Sequence, residues 1–251
     1  MLDTITAAQL EQLDIPAPRQ IVPKLITEGL NILAGAPKMG KSFLSLGIAL
    51  AVANGGRALD NLQVAKPMPV LYLALEDTRF RLKSRLKALN MPASENLHFA
   101  TSSARLSEGG LSAIDDFLAM NPDTGLVIID TLAKIADPKA TANIYEEEAA
   151  MGSAMHSLAH SRNVGLLVVH HTRKAAHGDF LSMVSGSAGF TGTADTVMVL
   201  SRQRNDPNSA AQLEVTGRDI HETKFQLRWY SPKGGWIVDT LASGSNVRPF
   251  R

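Results

Sequence analysis

The residues from Gly35 to Ser42, Gly-Ala-Pro-Lys-Met-Gly-Lys-Ser, fit the pattern G-x-x-x-x-G-K-[ST] of a phosphate-binding loop. Glycines at Gly35 and Gly40 let main-chain N–H groups turn toward phosphate oxygens, and a helix starting at Lys41 adds its partial positive end. In that pattern Lys41 reaches the β and γ phosphates, and the Ser42 hydroxyl is a ligand for Mg²⁺. The expected nucleotide-contacting run is therefore Gly35, Ala36, Pro37, Lys38, Met39, Gly40, Lys41, Ser42 and Phe43, with ATP and Mg²⁺ as cofactors. A chance glycine turn is the competing reading, and the apolar runs on both sides disfavour it.

Two apolar runs end abruptly on acids. Leu126-Val127-Ile128-Ile129-Asp130 places Asp130 at the carboxyl end of a buried strand, where it can hold Mg²⁺ through water. Val70-Leu71-Tyr72-Leu73-Ala74-Leu75-Glu76-Asp77 repeats the pattern. Glu76 is read there as the base that polarises the attacking water, against the plainer reading of a helix-start carboxylate, and Asp77 as the cap of the following helix. A third run ends in His170-His171-Thr172-Arg173-Lys174. Neighbouring strand residues face opposite sides, so these two histidines do not chelate one metal. His171, which opens the following loop, is preferred as a γ-phosphate sensor over a reading of both as core-edge histidines.

These groups need elements to hold them. Apolar runs alternate with amphipathic stretches, the pattern of strands feeding crossover helices in a largely parallel sheet. Strands are expected at 31–34, 70–76, 97–100, 126–130 and 166–171. Helices are expected at 41–54, 78–90, 111–120 and 144–162, the last capped by Asn143 with Glu146 three residues on. Short strands at 197–201, 213–217, 225–230 and 236–238 read as antiparallel hairpins extending the sheet. The basic stretch from Arg79 to Lys87 is read as the solvated face of a helix that turns Leu82, Leu86 and Leu89 inward.

With 251 residues and 45% hydrophobic content the chain suits one α/β domain. The expected organisation is an N-terminal segment at 1–20, an ATPase domain at 21–240 and a tail at 241–251. A net charge of +1 gives no overall attraction to nucleic acid, so any DNA contact must come from a local basic loop. There is no cysteine, hence no disulfide or thiolate metal site. The longest apolar stretch, 43–53, is too short to span a bilayer. A cytoplasmic protein with no membrane partner is the expectation.

The ordered set of motifs resembles the RecA-like P-loop ATPases, and within them the ring-forming plasmid replicative helicases of the RepA type with their phage and prophage relatives. The resemblance covers about 21–239. It rests on Leu25-Ile26-Thr27-Glu28-Gly29-Leu30 ahead of the phosphate loop, then Leu73-Ala74-Leu75-Glu76-Asp77, Ile129-Asp130-Thr131-Leu132 and Val169-His170-His171-Thr172-Arg173-Lys174. It implies a RecA-like fold, mainly parallel and flanked by helices, with a catalytic Glu76, a Mg²⁺-site Asp130, and His171 coupling phosphate to a DNA-binding loop.

It also implies a homo-oligomeric ring, a hexamer, with ATP between subunits. In such a ring Arg218, in Val215-Thr216-Gly217-Arg218-Asp219, resembles the finger that completes a neighbour's site. A hairpin-turn arginine paired with Asp219 is the even alternative. Thr216 stands where some ring helicases carry a lysine, and Ser185 stands where a family loop usually begins with arginine. Arg173, Lys174 and His177 are the residues that would hold single-stranded DNA. The function implied is an ATP-hydrolysing helicase or translocase working with a separate primase or initiator protein. The alternative is an ATPase switch or assembly protein that oligomerises without translocating. The N-terminal segment, a short helix over 4–13, either docks on a neighbouring subunit or packs at home.

Overall fold

A computed structural model describes residues 2, 4–137, 144–171, 188–202 and 210–239. Asn143, Arg173, Lys174, His177, Ser185 and the 241–251 tail lie outside them, as do all but the last two residues of the loop 172–189 that carries the expected DNA contacts.

Nine strands form one sheet. They are β1 (Gly29–Gly35), β2 (Val70–Ala74), β3 (Leu97–Ala100), β4 (Leu126–Asp130), β5 (Gly165–His171), β6 (Thr196–Arg202), β7 (Ala211–Gly217), β8 (Thr223–Tyr230) and β9 (Gly235–Val238). Their spatial order is β9-β8-β7-β6-β1-β5-β4-β2-β3. The six strands from β6 to β3 in that order run parallel, and β7, β8 and β9 add an antiparallel meander beyond β6. The helices are α1 (Ala7–Glu11), α2 (Lys41–Asn54), α3 (Arg79–Leu89), α4 (Gly110–Met120), α5 (Leu132–Ile135), α6 (Ile144–Arg162) and α7 (Ala188–Thr193). Two short ribbons, Gln20–Val22 with Ile26–Thr27 and Arg57–Ala58 with Leu62–Gln63, complete the described secondary structure along with two 3₁₀ turns.

The reason for the layers is visible residue by residue. β1, β2 and β4 are buried along their whole length, as strands covered on both faces must be, and they read as nearly continuous apolar runs interrupted only by Asn31 in β1 and the terminal Asp130 of β4. One face packs on α2, whose residues Leu44, Leu46, Ile48, Leu50 and Val52 join Tyr72, Ile128 and Val169 in one apolar cluster. The other face carries Ile32, Leu73, Ile129 and Val168 against Ile114 and Leu118 of α4 and Met155 and Ala159 of α6. Helix α2 is apolar nearly all round because it is enclosed by the sheet on one side and by β9 and the 57–63 ribbon on others.

The α3 reading agrees with the structure: Leu82 and Leu89 are buried and Leu86 packs partly against the same cluster. Its cap differs. Thr78, not Asp77, is the N-cap and accepts from the Arg81 N–H, while Asp77 is ion-paired with Arg81 and Arg85. A threonine caps in the extended conformation that Thr78 adopts, which leaves the preceding carboxylate free to meet the arginines one and two turns on. Helix α1 is capped by Thr6 but buries none of its residues, with Leu10 about half exposed, as is Leu13 just past its end.

Candidate functional site

Strand register brings the chemistry together. Gly35 pairs with His171 across β1 and β5, Asp130 pairs with Val169 and with Ala74, and Leu200 pairs with Gly35. The phosphate loop, Glu76, Asp130 and His171 therefore share the carboxyl edge of the parallel sheet, where open α/β sheets bind ligands.

The loop turns on two left-handed residues, Lys38 with φ 63° and Gly40 with φ 92°. Gly40 has a second reason to lack a side chain. A Cβ there would lie 2.7 Å from Trp236 Nε1, whose N–H donates to the Gly40 carbonyl at 3.2 Å. A Cβ on Gly35 would lie 2.7 Å from the Leu200 carbonyl oxygen, so β6 also sets the width of the loop.

Lys41 is 5% exposed. Its ammonium donates to the carbonyl oxygens of Gly35 at 2.6 Å and Ala36 at 3.1 Å, and to His171 Nδ1 at 3.2 Å. Burial lowers its pKa to about 8, against the opposing pull of Asp130 and Glu76. His171 is pushed down by burial and by the Lys41 charge. With Lys41 protonated, Nδ1 accepts and the imidazole carries its proton on Nε2. His170 faces the other side of the sheet, its ring 6.1 Å from that of Phe190. The two histidines are thus separated as the strand period required, and His171 is the one on the phosphate side.

Asp130 is 4% exposed at the end of β4. The Tyr72 hydroxyl donates to its Oδ2 at 2.8 Å and is itself 2.8 Å from Ser45 Oγ, which comes from α2. Among the described residues, Oδ1 is buried without a hydrogen-bond partner. Burial pushes the carboxyl up, the hydroxyls of Tyr72 and Ser42 and the charge of Arg85 pull it down, and Asp77 adds a further upward push. A buried carboxylate oxygen that no described donor meets at hydrogen-bond distance, with the Ser42 hydroxyl close to the same carboxyl, suits a hard cation that takes oxygen ligands, so these residues fit Mg²⁺.

Glu76 lies just past the end of β2, on the turn before α3 rather than within the strand. Its Oε1 accepts from Thr131 Oγ1 at 3.1 Å, and the Leu75 N–H donates to the Asp130 carbonyl at 2.8 Å. These contacts tie the turn carrying Glu76 to the end of β4.

Arg218 is elsewhere. It follows β7, where Gly217 pairs with Thr196 at the amino end of β6. At ~3.3 Å per residue along the strands, that is roughly 17 Å from the phosphate loop of the same chain. Its partner is Asp195, at 3.3 Å, with Gly192 O at 3.1 Å, rather than the neighbouring Asp219.

Sequence reasoning missed two residues on the phosphate side. Tyr72 read only as an apolar strand residue, but it is the fully buried link between α2 and Asp130. Arg202 ends β6 two residues past Leu200, with its guanidinium 5.8 Å from the centre of the Trp236 ring and its Nε buried without a partner among the described residues. Only the pairing of β6 with β1 puts this cation beside the loop, so no local pattern marks it.

A family described as an AAA domain, AAA_25, matches residues 1–177. The chain belongs to this AAA-domain family. Solved structures add the fold. The ATPase domain of G40P is similar with a TM-score of 0.64 at 16% identity, over 84% of this chain and 84% of that one. The KaiC-like protein PH0186 of the hyperthermophilic archaeon Pyrococcus horikoshii OT3 is similar with a TM-score of 0.60 at 12% identity, over 87% of this chain and 93% of that one. No curated protein matches the sequence. The AAA domain is thus an ATPase of RecA-like fold, as the resemblance implied. Among the described residues no helix is long and apolar enough to cross a membrane.

Proposed function

We propose that this AAA-domain ATPase is a ring-forming motor that hydrolyses ATP to move along single-stranded DNA. The observation that carries the reading is the contact between Lys41 and His171. The lysine that meets the terminal phosphates touches the last residue of β5, and the chain continues from there into the basic segment with Arg173, Lys174 and His177. A change at the phosphate is felt at the root of that segment, which is what coupling hydrolysis to DNA requires.

Within the site, Gly35 to Phe43 wrap the phosphates and Lys41 neutralises them. Glu76, held by Thr131, takes the proton of the attacking water. Ser42 and Asp130 would hold Mg²⁺, which when bound draws charge off the phosphate oxygens. Asp130 is kept ready by Tyr72. Arg218, whose side chain is 56% exposed and remote from its own Lys41, is the residue offered to a neighbouring subunit. The G40P similarity supports the RecA-like core of this reading. The ring, its hexameric size, the DNA and any primase or initiator are the proposal's own.

The test is ATP turnover with and without single-stranded DNA at low salt. Turnover should rise with DNA, and Arg173→Ala with Lys174→Ala should remove the stimulation while leaving the basal rate near wild type. Binding should weaken steeply with salt, since phosphate contacts release counterions. Glu76→Gln should bind ATP yet hydrolyse it ~10²–10⁴-fold more slowly. Turnover indifferent to saturating DNA would reject the motor in favour of an ATPase switch or assembly protein. Wild-type turnover in Glu76→Gln would move the base to another carboxylate.

A further inference from the structure

At the end of the sheet opposite the phosphate loop, three potential metal ligands meet. His156 and His160 stand one turn apart on α6, on the same face, with ring centres 4.2 Å apart. Both turn Nε2 toward Asp195, His156 to Oδ1 at 3.4 Å and His160 to Oδ2 at 3.2 Å. All three ligand atoms lie within 4.8 Å of one another. We propose that His156, His160 and Asp195 form a binding site for a divalent transition-metal ion of the zinc class, bound by two imidazoles, one carboxylate and water.

The geometry supports an ion between these groups. Zinc bound tetrahedrally at ~2.0–2.1 Å from N and O ligands separates those ligands by roughly 3.4 Å, near the 3.4 and 3.2 Å between each imidazole Nε2 and one Asp195 oxygen. Borderline imidazole ligands suit Zn²⁺ over Mg²⁺, so the ion would be distinct in kind from the one at the nucleotide end.

The carboxylate is also oriented from behind. Asp195 is 5% exposed, and the Leu30 N–H donates to its Oδ2 at 2.8 Å. Main-chain support of this sort fixes a ligating group in direction. The main chain comes close because Gly29 has φ 101° and no side chain. A Cβ at that position would lie 2.1 Å from Asp195 Oδ2 and 3.0 Å from His160 Nε2. On the open side His156 and His160 are 30% and 48% exposed in their side chains, which leaves a path for an ion and for a water ligand.

The other charge at the cluster is Arg218, 3.3 Å from Asp195 Oδ1. It is the cation that compensates the buried carboxylate. A bound divalent ion would replace it in that role, and Arg218 is exposed enough to swing into solvent. Metal binding at this site would then release the very arginine proposed to serve a neighbour.

The experiment is a Co²⁺ titration of the full chain without nucleotide, followed by visible absorption and then displaced with Zn²⁺. One equivalent per chain should bind, with ligand-field bands of low coordination number that Zn²⁺ abolishes. The double variant His156→Gln with His160→Gln should bind Co²⁺ more than ~100-fold more weakly, while His98→Gln with His221→Gln should bind as wild type. Both histidines of the site are partly exposed, so the double variant is expected to fold, and far-ultraviolet circular dichroism checks this. Asp195→Asn is the less safe variant, because Asp195 also holds Leu30 and Arg218. No saturable binding, or binding unchanged in the His156/His160 variant, overturns the site and leaves the three residues with Arg218 as a hydrogen-bonded tie between α6 and the sheet. ATP turnover plays no part in this readout, so the proposal fails or stands independently of the DNA motor.

Discussion

At Lys41 two demands oppose each other. The ammonium must be charged to hold phosphate, and loss of water on burial lowers its pKa to about 8 from 10.5 even though the Gly35 and Ala36 carbonyls accept from it. Below about pH 8 the charged form is present in both folded and unfolded chains, and the cost of burying it is fully felt. Between about 8 and 10.5 the folded chain has lost a proton that the unfolded chain keeps, so the nucleotide-free protein gains stability as pH rises through that window. ATP binding should run the other way. Above about pH 8 each binding event must take up a proton, so affinity should fall by up to about tenfold per pH unit. Calorimetry in two buffers of different ionisation heat, at pH 7 and pH 9, measures both the affinity and the proton uptake. A flat affinity with no uptake at pH 9 would show that Lys41 keeps an ordinary pKa.

Among the elements, the phosphate loop and α2 depend on β9, which is remote in sequence. Trp236 from that strand covers Gly40, donates to its carbonyl and stacks edge-on with Trp229, which in turn meets Phe43 of α2. Gly40→Ala would place a methyl 2.7 Å from the Trp236 indole nitrogen at a φ of 92°, so both sterics and backbone conformation oppose it. A loss of ~1–3 kcal/mol in unfolding free energy is expected, with ATP affinity falling more than stability explains because the loop must open to fit. Urea unfolding and nucleotide titration of the same variant separate the two effects. Unchanged stability would mean that Trp236 moves aside at no cost.

For the whole molecule, the question is whether the site is complete within one chain. Arg218 stands at the end of the sheet away from its own Lys41, held by Asp195. If it serves a neighbour, Arg218→Ala should assemble and bind ATP but turn over ~10³–10⁵-fold more slowly. Mixing it with Lys41→Ala should restore part of the activity, because some interfaces then join an intact loop to an intact arginine. Turnover of freshly exchanged mixtures checks this. No rescue would count against Arg218 in trans and turn attention to Arg202, which already lies beside the loop of its own chain. A fully active monomer would reject the ring.

What the sequence determined by itself was whatever is written in contiguous residues. The phosphate loop, the acid-ended strands and the alternation of strand and helix are local patterns, and the structure has the β1 to β9 strands within a few residues of where periodicity puts them. The separation of His170 from His171 followed from the strand period alone, and Leu82 and Leu89 followed from the helix period. Tertiary structure alone decided what depends on which strand lies beside which. Tyr72 reaches Asp130 because β2 pairs with β4. Arg202 and Trp236 reach the phosphate loop because β6 pairs with β1 and the meander folds back over α2. His156, His160 and Asp195 meet only because α6 packs against β1, whose sheet neighbour β6 follows directly on Asp195. The helical spacing of the two histidines is visible in the chain, but the carboxylate that completes them is 35 residues on from His160. Side-chain chemistry at short range is set by residue order, whereas partners across a sheet are set by strand order, which no local run of residues encodes.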